Sequence, residues 1–358
     1  TNNLPCGAMR GFGVNQVTFA MESCIDMLCE QGGFDRWQIR YDNALAEGRM
    51  TASGQILGAD VGVRACLLAL KDEFYKSPTA GLACGIKNTG IGNGMTDESL
   101  VKIEVVSGSK LVIHHGWTEM GQGVHTVARQ VVCQETGLDP ALMEVRVDTA
   151  SGARSGMTTA SRATSLVGNA LIDACVALKR DLAAQPLAAL AGRSYRGRWR
   201  CDWTTMPRAA GAPAGGKVVT HYSYGYAAQL VLLDNQGKIS RVIAAHDAGR
   251  IVNPTLFQGQ IEGAVVMGLG YALSEDLPLR DGLPLSWRMA DLGLLKAADV
   301  PDIDVIGVEV ADLHGPYGAK GVGEIGLVPT AAAAANAFCR FDGRRRFRLP
   351  MERQEKKR

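Results

Sequence analysis

The sequence predicts an α+β fold in which several mixed sheets carry flanking helices. Three observations lead there. Apolar runs of period two come in hairpin pairs, at 101–115 and 217–246. Apolar residues at helical spacing fill other stretches, including 17–28, 63–74 and 166–178. The chain has 358 residues, 46% of them hydrophobic, which suffices for a large core in one or two domains.

Composition bounds the function. With 38 basic and 36 acidic residues, the net charge of +2 gives no case for nucleic acid or a membrane as partner. Two basic clusters, Arg344 to Arg348 and Lys356 to Arg358, read as a solvated C-terminal tail over 341–358. Nine cysteines are scattered without a Cys-x-x-Cys pair, which reads as free thiols in a reducing cytoplasm and no iron–sulfur site on this chain. There is no run of eighteen apolar residues and no signal peptide. The first residue is Thr1, and the chain reads as the latter part of a longer polypeptide or a truncated product.

In chain order, residues 1–13 (TNNLPCGAMRGFG) form a loop, with Arg10 set among small residues. A guanidinium there can bind an oxygen anion and keep its charge when buried. Val17, Met21, Cys24, Ile25 and Leu28, then Val63, Cys66, Leu67, Leu70 and Phe74, mark two packing helices. Residues 77–97 read as loop, and 101–106 with 110–115 as a hairpin around Ser107-Gly108-Ser109.

The hairpin delivers GWTEMGQGVHT (116–126), a glycine-rich turn ahead of a helix marked by Val124, Val127, Ala128 and Val131. Gly121 and Gly123 allow close backbone approach, Gln122 offers both a donor and an acceptor, and the next helix offers unpaired N–H groups to an anion. After a strand at 144–148 comes a hydroxyl-rich loop, ASGARSGMTTASRATSLVG (150–168), opening into a helix. Such a helix start holds either a phosphate or an ordinary cap.

Residues 193–216 read as a surface excursion, with Arg196, Arg198, Arg200, Trp199 and Trp203 in a solvated loop. The hairpin 217–234/239–246 follows, then Asn253-Pro254 as a helix start. Gln260 stands in a small, apolar stretch of that helix, with Gly259, Gly263 and Gly268 placed for close packing or ligand approach. Asp247 and Glu262 read as structural. A strand at 304–310 and an alanine-rich helix to Phe338 flank HGPYGAKGVGEIGLVP (314–329), where Glu324 is a lone carboxylate among glycines and apolar residues. Burial makes a carboxylate more basic, and a helix-capping role is the alternative.

Five segments together resemble the molybdenum hydroxylases, the xanthine dehydrogenase and aldehyde oxidoreductase family. In order they are AMRGFG (8–13), TEMGQG (118–123), GMTTAS (156–161), Asp247 to Gly270, and GVGEI (321–325). The spelling is most similar to bacterial xanthine dehydrogenases of the selenium-dependent type. The resemblance implies the C-terminal half of a molybdopterin-binding domain of the xanthine dehydrogenase type. Its two parts would fall at 1–192 and 217–340 as intertwined subdomains.

It further implies Glu324 as catalytic base. Met120, Gly121, Gln122, Thr158, Ala160, Ser161, Gln260 and Gly323 would hold a molybdopterin-type molybdenum cofactor. Arg10 would also bind it. Arg10 and Ala160 would lie close to the metal without ligating it, and Phe12 would line the substrate pocket. Ala163 stands where the family has a hydroxyl, and Ile325 where it has proline.

In the family's chemistry the base deprotonates a metal-bound hydroxyl, which attacks a purine, another N-heterocycle or an aldehyde carbon. A 2Fe-2S centre and FAD are expected on other domains or subunits, within an oligomer. The absence of a glycine-rich phenylalanine loop, a second pocket carboxylate and a substrate-orienting arginine leaves two other readings open. One is an inert fragment or assembly partner, which would expose a large apolar face. The other is a nucleotide-binding protein using the 155–168 loop, disfavoured because no GxxxxGK[ST] motif is present.

Overall fold

The computed structural model describes residues 7–206 and 217–351; residues 1–6, the 207–216 part of the excursion and the 352–358 part of the tail lie outside the described residues. Two four-stranded mixed sheets organise the chain. The first runs β1 (Gly81–Thr89), β6 (Ser223–Leu233), β7 (Ile239–Asp247), β10 (Asp302–Val308). Its first three strands pair antiparallel, and β10 adds parallel to β7. That parallel step needs a crossover, supplied by α6 (Pro254–Leu273).

The second sheet runs β4 (Met143–Arg146), β3 (Lys110–His114), β2 (Asp97–Ser107), β5 (Ser194–Cys201). A two-stranded ribbon, β8 (Leu279–Arg280) with β9 (Leu283–Pro284), completes the strands among the described residues.

Each sheet carries helices where an apolar face must be covered. On the first sheet, α7 (Thr330–Asp342) lies across β1 and β6 and packs against α6 and α1 (Val14–Gly32); α3 (Val63–Lys76) and α2 (Arg36–Asn43) cover the other face. The alanines 331–335 let α7 lie close to the sheet. A Cβ on Gly81 would stand 2.1 Å from the Ala333 carbonyl, so the strand–helix contact requires glycine there. On the second sheet, α5 (Ala163–Ala184) lies on β5 and β2, with α4 (Val124–Thr136) beside it. Their shared core holds Ile103, Leu111, Ile113, Trp117, Leu166 and Leu171, all essentially fully buried.

Four expectations need correction. Residues 81–89, read as loop, form β1, which buries Leu82 on one face and Gly81, Ala83, Gly85, Lys87 and Thr89 on the other. Residues 194–201, read as surface excursion, form edge strand β5. Arg196, Arg198 and Arg200 alternate on its outer side, with Arg198 paired to Glu98 and Arg200 to Asp202. The C-terminal arginines do not all lie in solvent: Arg345 ion-pairs with Asp26 at 2.9 Å, and Arg346 with Asp342.

The fourth correction concerns α1, which is turned over. Its buried residues include Asn15, Thr18, Glu22, Ser23 and Asp26, met by Arg40 and Arg345. The predicted apolar stripe faces out: Val17, Met21 and Leu28 are each more than half exposed, and Cys24 is exposed. Three arginines, Arg36, Arg40 and Arg345, draw the acidic side of α1 inward, because Asp26 and Glu22 must be paired if buried. No described helix is long and apolar enough to cross a membrane.

Candidate functional site

The two sheet units meet at a cleft of about 620 Å³. Its wall from the second unit is the GQG turn and the turn ahead of α5; its wall from the first is α6, the 8–12 loop and the 321–324 turn. Arg10, Phe12, Met120, Gly121, Gln122, Thr158, Ala160, Ser161, Gln260, Gly323 and Glu324 all line it. Every residue singled out from the sequence for this site is therefore brought to one cavity, from segments more than 300 positions apart.

Arg10 joins the parts. Its Nε donates to the Gly323 carbonyl, and its Nη2 donates to the Gln260 carbonyl at 3.2 Å and to Gln260 Oε1 at 3.1 Å. Burial lowers the Arg10 pKa, and the nearby Glu324 carboxylate opposes that shift. Asn15 Nδ2 donates to the Arg10 carbonyl at 2.9 Å and fixes the loop beneath it. Phe12 is 74% exposed at φ 50°, so it stands out over the cleft rather than packing inside it.

Glu324 is buried, but its surroundings are not apolar as expected. Ser161 Oγ donates to its Oε2 at 3.1 Å and accepts from the Glu324 amide at 3.0 Å. Lys87 Nζ stands 3.3 Å from the same Oε2, and among the described residues Oε1 takes one long bond, from the Gly11 amide at 3.3 Å. Lys87, from the strand read as loop, is a site residue that sequence reasoning missed. The legible signal was a lysine at period two with Gly85 and Thr89 on a strand of buried small residues.

The Ser161 turn is held by unusual backbone. Ala160 and Ser161 have φ of 55° and 51°, a conformation disfavoured for side chains with a Cβ. The Ala160 carbonyl accepts from the Gly90 amide at 2.9 Å, and a Cβ at Gly321 would stand 1.5 Å from the Ser161 carbonyl. Gly321→Ala is thus expected to destabilise the fold by about 1–3 kcal/mol, measured by urea denaturation, because backbone must move apart. A variant as stable as the parent would show that this turn is not tightly packed.

The GQG turn differs from expectation in two respects. The Glu119 carboxylate accepts from the Gly121 and Gly123 amides at 2.9 Å and from His125 at 3.2 Å. The α4 N-terminus is therefore capped by the protein and not free for an anion. Those bonds offset burial and hold the Glu119 carboxyl below the ordinary range. Gln122 also spends its amide inside the turn: Nε2 donates to the Thr118 carbonyl at 2.8 Å and Oε1 accepts from Met120 N at 2.6 Å. Thr158 Oγ1 accepts from the Thr118 amide at 2.9 Å, so it ties the two loops together.

The free helix start is that of α5. Its N-cap, Arg162, makes no side-chain capping bond, and Ala163 and Thr164 line the cleft. Arg162 instead ion-pairs with buried Asp97 and donates to the Met157 carbonyl, pinning the loop. An unpaired helix start of 22 residues suits a phosphate. A Cβ at Gly121 would meet nothing within 4 Å, and Gly121 has φ +98°, so the turn leaves room for a group laid against its backbone. Open backbone on one side and an uncapped helix on the other fit an anionic, phosphate-bearing cofactor of the expected kind. Of the α6 glycines, Gly268 packs against Thr330, whereas Gly259 and Gly263 face open space.

Comparison with known proteins agrees with this geometry. Residues 68–301 match the family model described as molybdopterin cofactor-binding domain, and residues 1–44 match a second model of the same description. A probable xanthine dehydrogenase subunit of Bacillus subtilis (strain 168) is 29% identical over 402 aligned positions, covering 99% of this chain and 53% of that protein. The aldehyde oxidoreductase of Megalodesulfovibrio gigas is 27% identical over 386 positions, covering 98% of this chain and 41% of that protein. A solved aldehyde oxidoreductase from Desulfovibrio gigas superposes with a TM-score of 0.81 at 25% identity, over 96% of this chain and 40% of that one. The chain spans about half the length of the curated relatives it matches. It belongs to the molybdopterin cofactor-binding domain family of the molybdenum hydroxylases.

Proposed function

We propose that this chain is the cofactor-holding part of a molybdenum-dependent hydroxylase acting on a purine or related N-heterocycle, with Glu324 as base. One observation carries the reading: Glu324, Arg10, Gln260 and the uncapped start of α5 converge on one cleft. When bound, the cofactor supplies the redox-active metal that takes electrons from the substrate. The start of α5 and the Thr158–Ser161 turn would hold its phosphate, with Gly121 and Gln122 against its ring system. Arg10 and Gln260, bonded to each other, form the floor that keeps Gly323 and Glu324 in place.

The proton-accepting atom is Glu324 Oε1. Oε2 is occupied by Ser161 and Lys87, whereas among the described residues Oε1 has one long bond, from Gly11, and the carboxylate lines the cleft. A general base placed this way contributes about 10²–10⁴-fold to rate. Phe12, standing over the cleft, would bound the substrate position.

A second reading, oxidation of an aldehyde, draws on the likeness to the M. gigas aldehyde oxidoreductase. In both readings further polypeptide completes the site, with iron–sulfur and flavin centres on other domains or subunits. The outward apolar stripe of α1, with Phe12, Met120 and Met157 exposed beside the cleft, supports that.

The test is molybdenum and pterin content of the protein purified from a host that makes the cofactor, followed by assays on xanthine and on an aldehyde. Near-stoichiometric cofactor with turnover of xanthine is the expected result. Cofactor with turnover of the aldehyde alone selects the second reading. A protein that takes up no cofactor, alone or with its partner polypeptides, overturns both.

A further inference from the structure

Lys87 lies outside every motif that led to the cleft, and above it enters only as a neighbour of Glu324 Oε2. Its side chain is 4% exposed, on the alternating, inward-facing part of β1. Burying an ammonium is costly unless it is paired and hydrogen-bonded. It has two neighbours that do this: Asn88 Oδ1, which accepts at 2.6 Å, and Glu324 Oε2 at 3.3 Å. The chain thus places a buried cation against the carboxylate proposed as base, on the oxygen that also accepts from Ser161.

We propose that Lys87 is the positioning residue for Glu324, holding Oε2 so that Oε1 is turned to take a proton. This rests on the reading of Glu324 as base. Charged and titratable groups approach from each packed element. Lys87 comes from β1 and Arg10 from the loop ahead of α1, where Arg10 is bonded to Gly323 and Gln260 and not to the carboxylate. Ser161 contributes a hydroxyl from the turn ahead of α5. On the far side of Lys87 lies His221, whose pKa is lowered to about 4 by burial first and by the Lys87 charge second, so it adds no charge near neutrality. Lys87 is therefore the cation in direct contact with Glu324.

The physical consequence follows from that contact. A charge-assisted contact fixes how a carboxylate is oriented and which of its oxygens is left unbonded. Lys87→Met and Lys87→Gln remove that contact and should each lower kcat by about 10–100-fold, with KM and cofactor content near the parent. Lys87→Arg, which keeps the charge, should restore it. A residue that merely filled space would not distinguish the neutral variants from the charged one.

The experiment is infrared spectroscopy of the assembled holoenzyme, following the carboxylate stretching bands lost in Glu324→Gln, alongside steady-state kcat and KM. The expected result is a shift of those bands and a fall in kcat in both neutral variants, with Lys87→Arg near the parent. Carboxylate bands unchanged in Lys87→Met and Lys87→Gln overturn the inference. The bands report Glu324 whether or not it is the base. A Glu324→Gln enzyme that still turns over therefore sinks the base reading separately, while the infrared shift decides the Lys87–Glu324 coupling.

Discussion

Lys320→Met is expected to destabilise the protein by about 3–5 kcal/mol, the loss seen when one member of a buried ion pair is removed. Lys320 Nζ donates to Asp247 Oδ2 and to the Asp60 carbonyl at 2.7 Å, and both charged side chains are fully buried. Asp247 Oδ1 also accepts from the Gly249 amide at 3.0 Å and from Val310 at 3.2 Å. Burial raises the Asp247 pKa and Lys320 opposes it, so without the lysine the carboxyl is left unpaired in the interior. The pair also joins the end of β7 to the stretch of chain that leads into Gly321, Gly323 and Glu324. Urea denaturation of the parent, Lys320→Met and the double variant with Asp247→Asn measures this. The double variant should recover part of the loss, because no charge remains buried alone. A single variant within about 1 kcal/mol of the parent would show that the pair is not holding the loop.

Glu324→Gln should lower kcat by about 10²–10⁴-fold, with molybdenum and pterin content unchanged. Glutamine keeps the size of the side chain and an oxygen for Ser161 Oγ, but it cannot take a proton at Oε1. Steady-state assay of the holoenzyme, with cofactor content measured on the same preparation, gives both quantities. A variant retaining more than about a tenth of parental turnover would remove Glu324 as the base. A variant that lost cofactor would show instead that the carboxylate serves the cleft's architecture.

Much of the site was legible because its motifs are local. TEMGQG, GMTTAS and GVGEI each specify a turn through glycine and hydroxyl placement, and each turn lies where it was expected. The helix start at Asn253-Pro254 was equally clear, with the Asn253 side chain accepting from Leu256 N as an N-cap. The hairpins over 101–114 and 223–247 lie where the apolar runs place them; β2 shows period-two burial, whereas β3, β6 and β7 are buried at most positions on both faces.

The tertiary structure decided what no local pattern carries. α1 has helical periodicity, but which stripe turns inward depends on arginines at 36, 40 and 345, far apart in sequence. The Gln122 amide and the α4 start read as ligand donors, yet Thr118, Met120 and Glu119 claim them within the turn. Strand β1 looked like loop because its buried face is built of small residues and one lysine, chosen for close packing under α7 and for Glu324. Its residues, and the family they resemble, pointed to an α+β fold, to turns that line one cleft and to a carboxylate beside them. Only three-dimensional packing decided which donors are taken up within the protein and that Ser161 and Lys87 both meet Oε2 of Glu324. Those depend on distant charges and hydrogen bonds that compete for the same atoms, a competition that is resolved only when the two sheets close on the cleft.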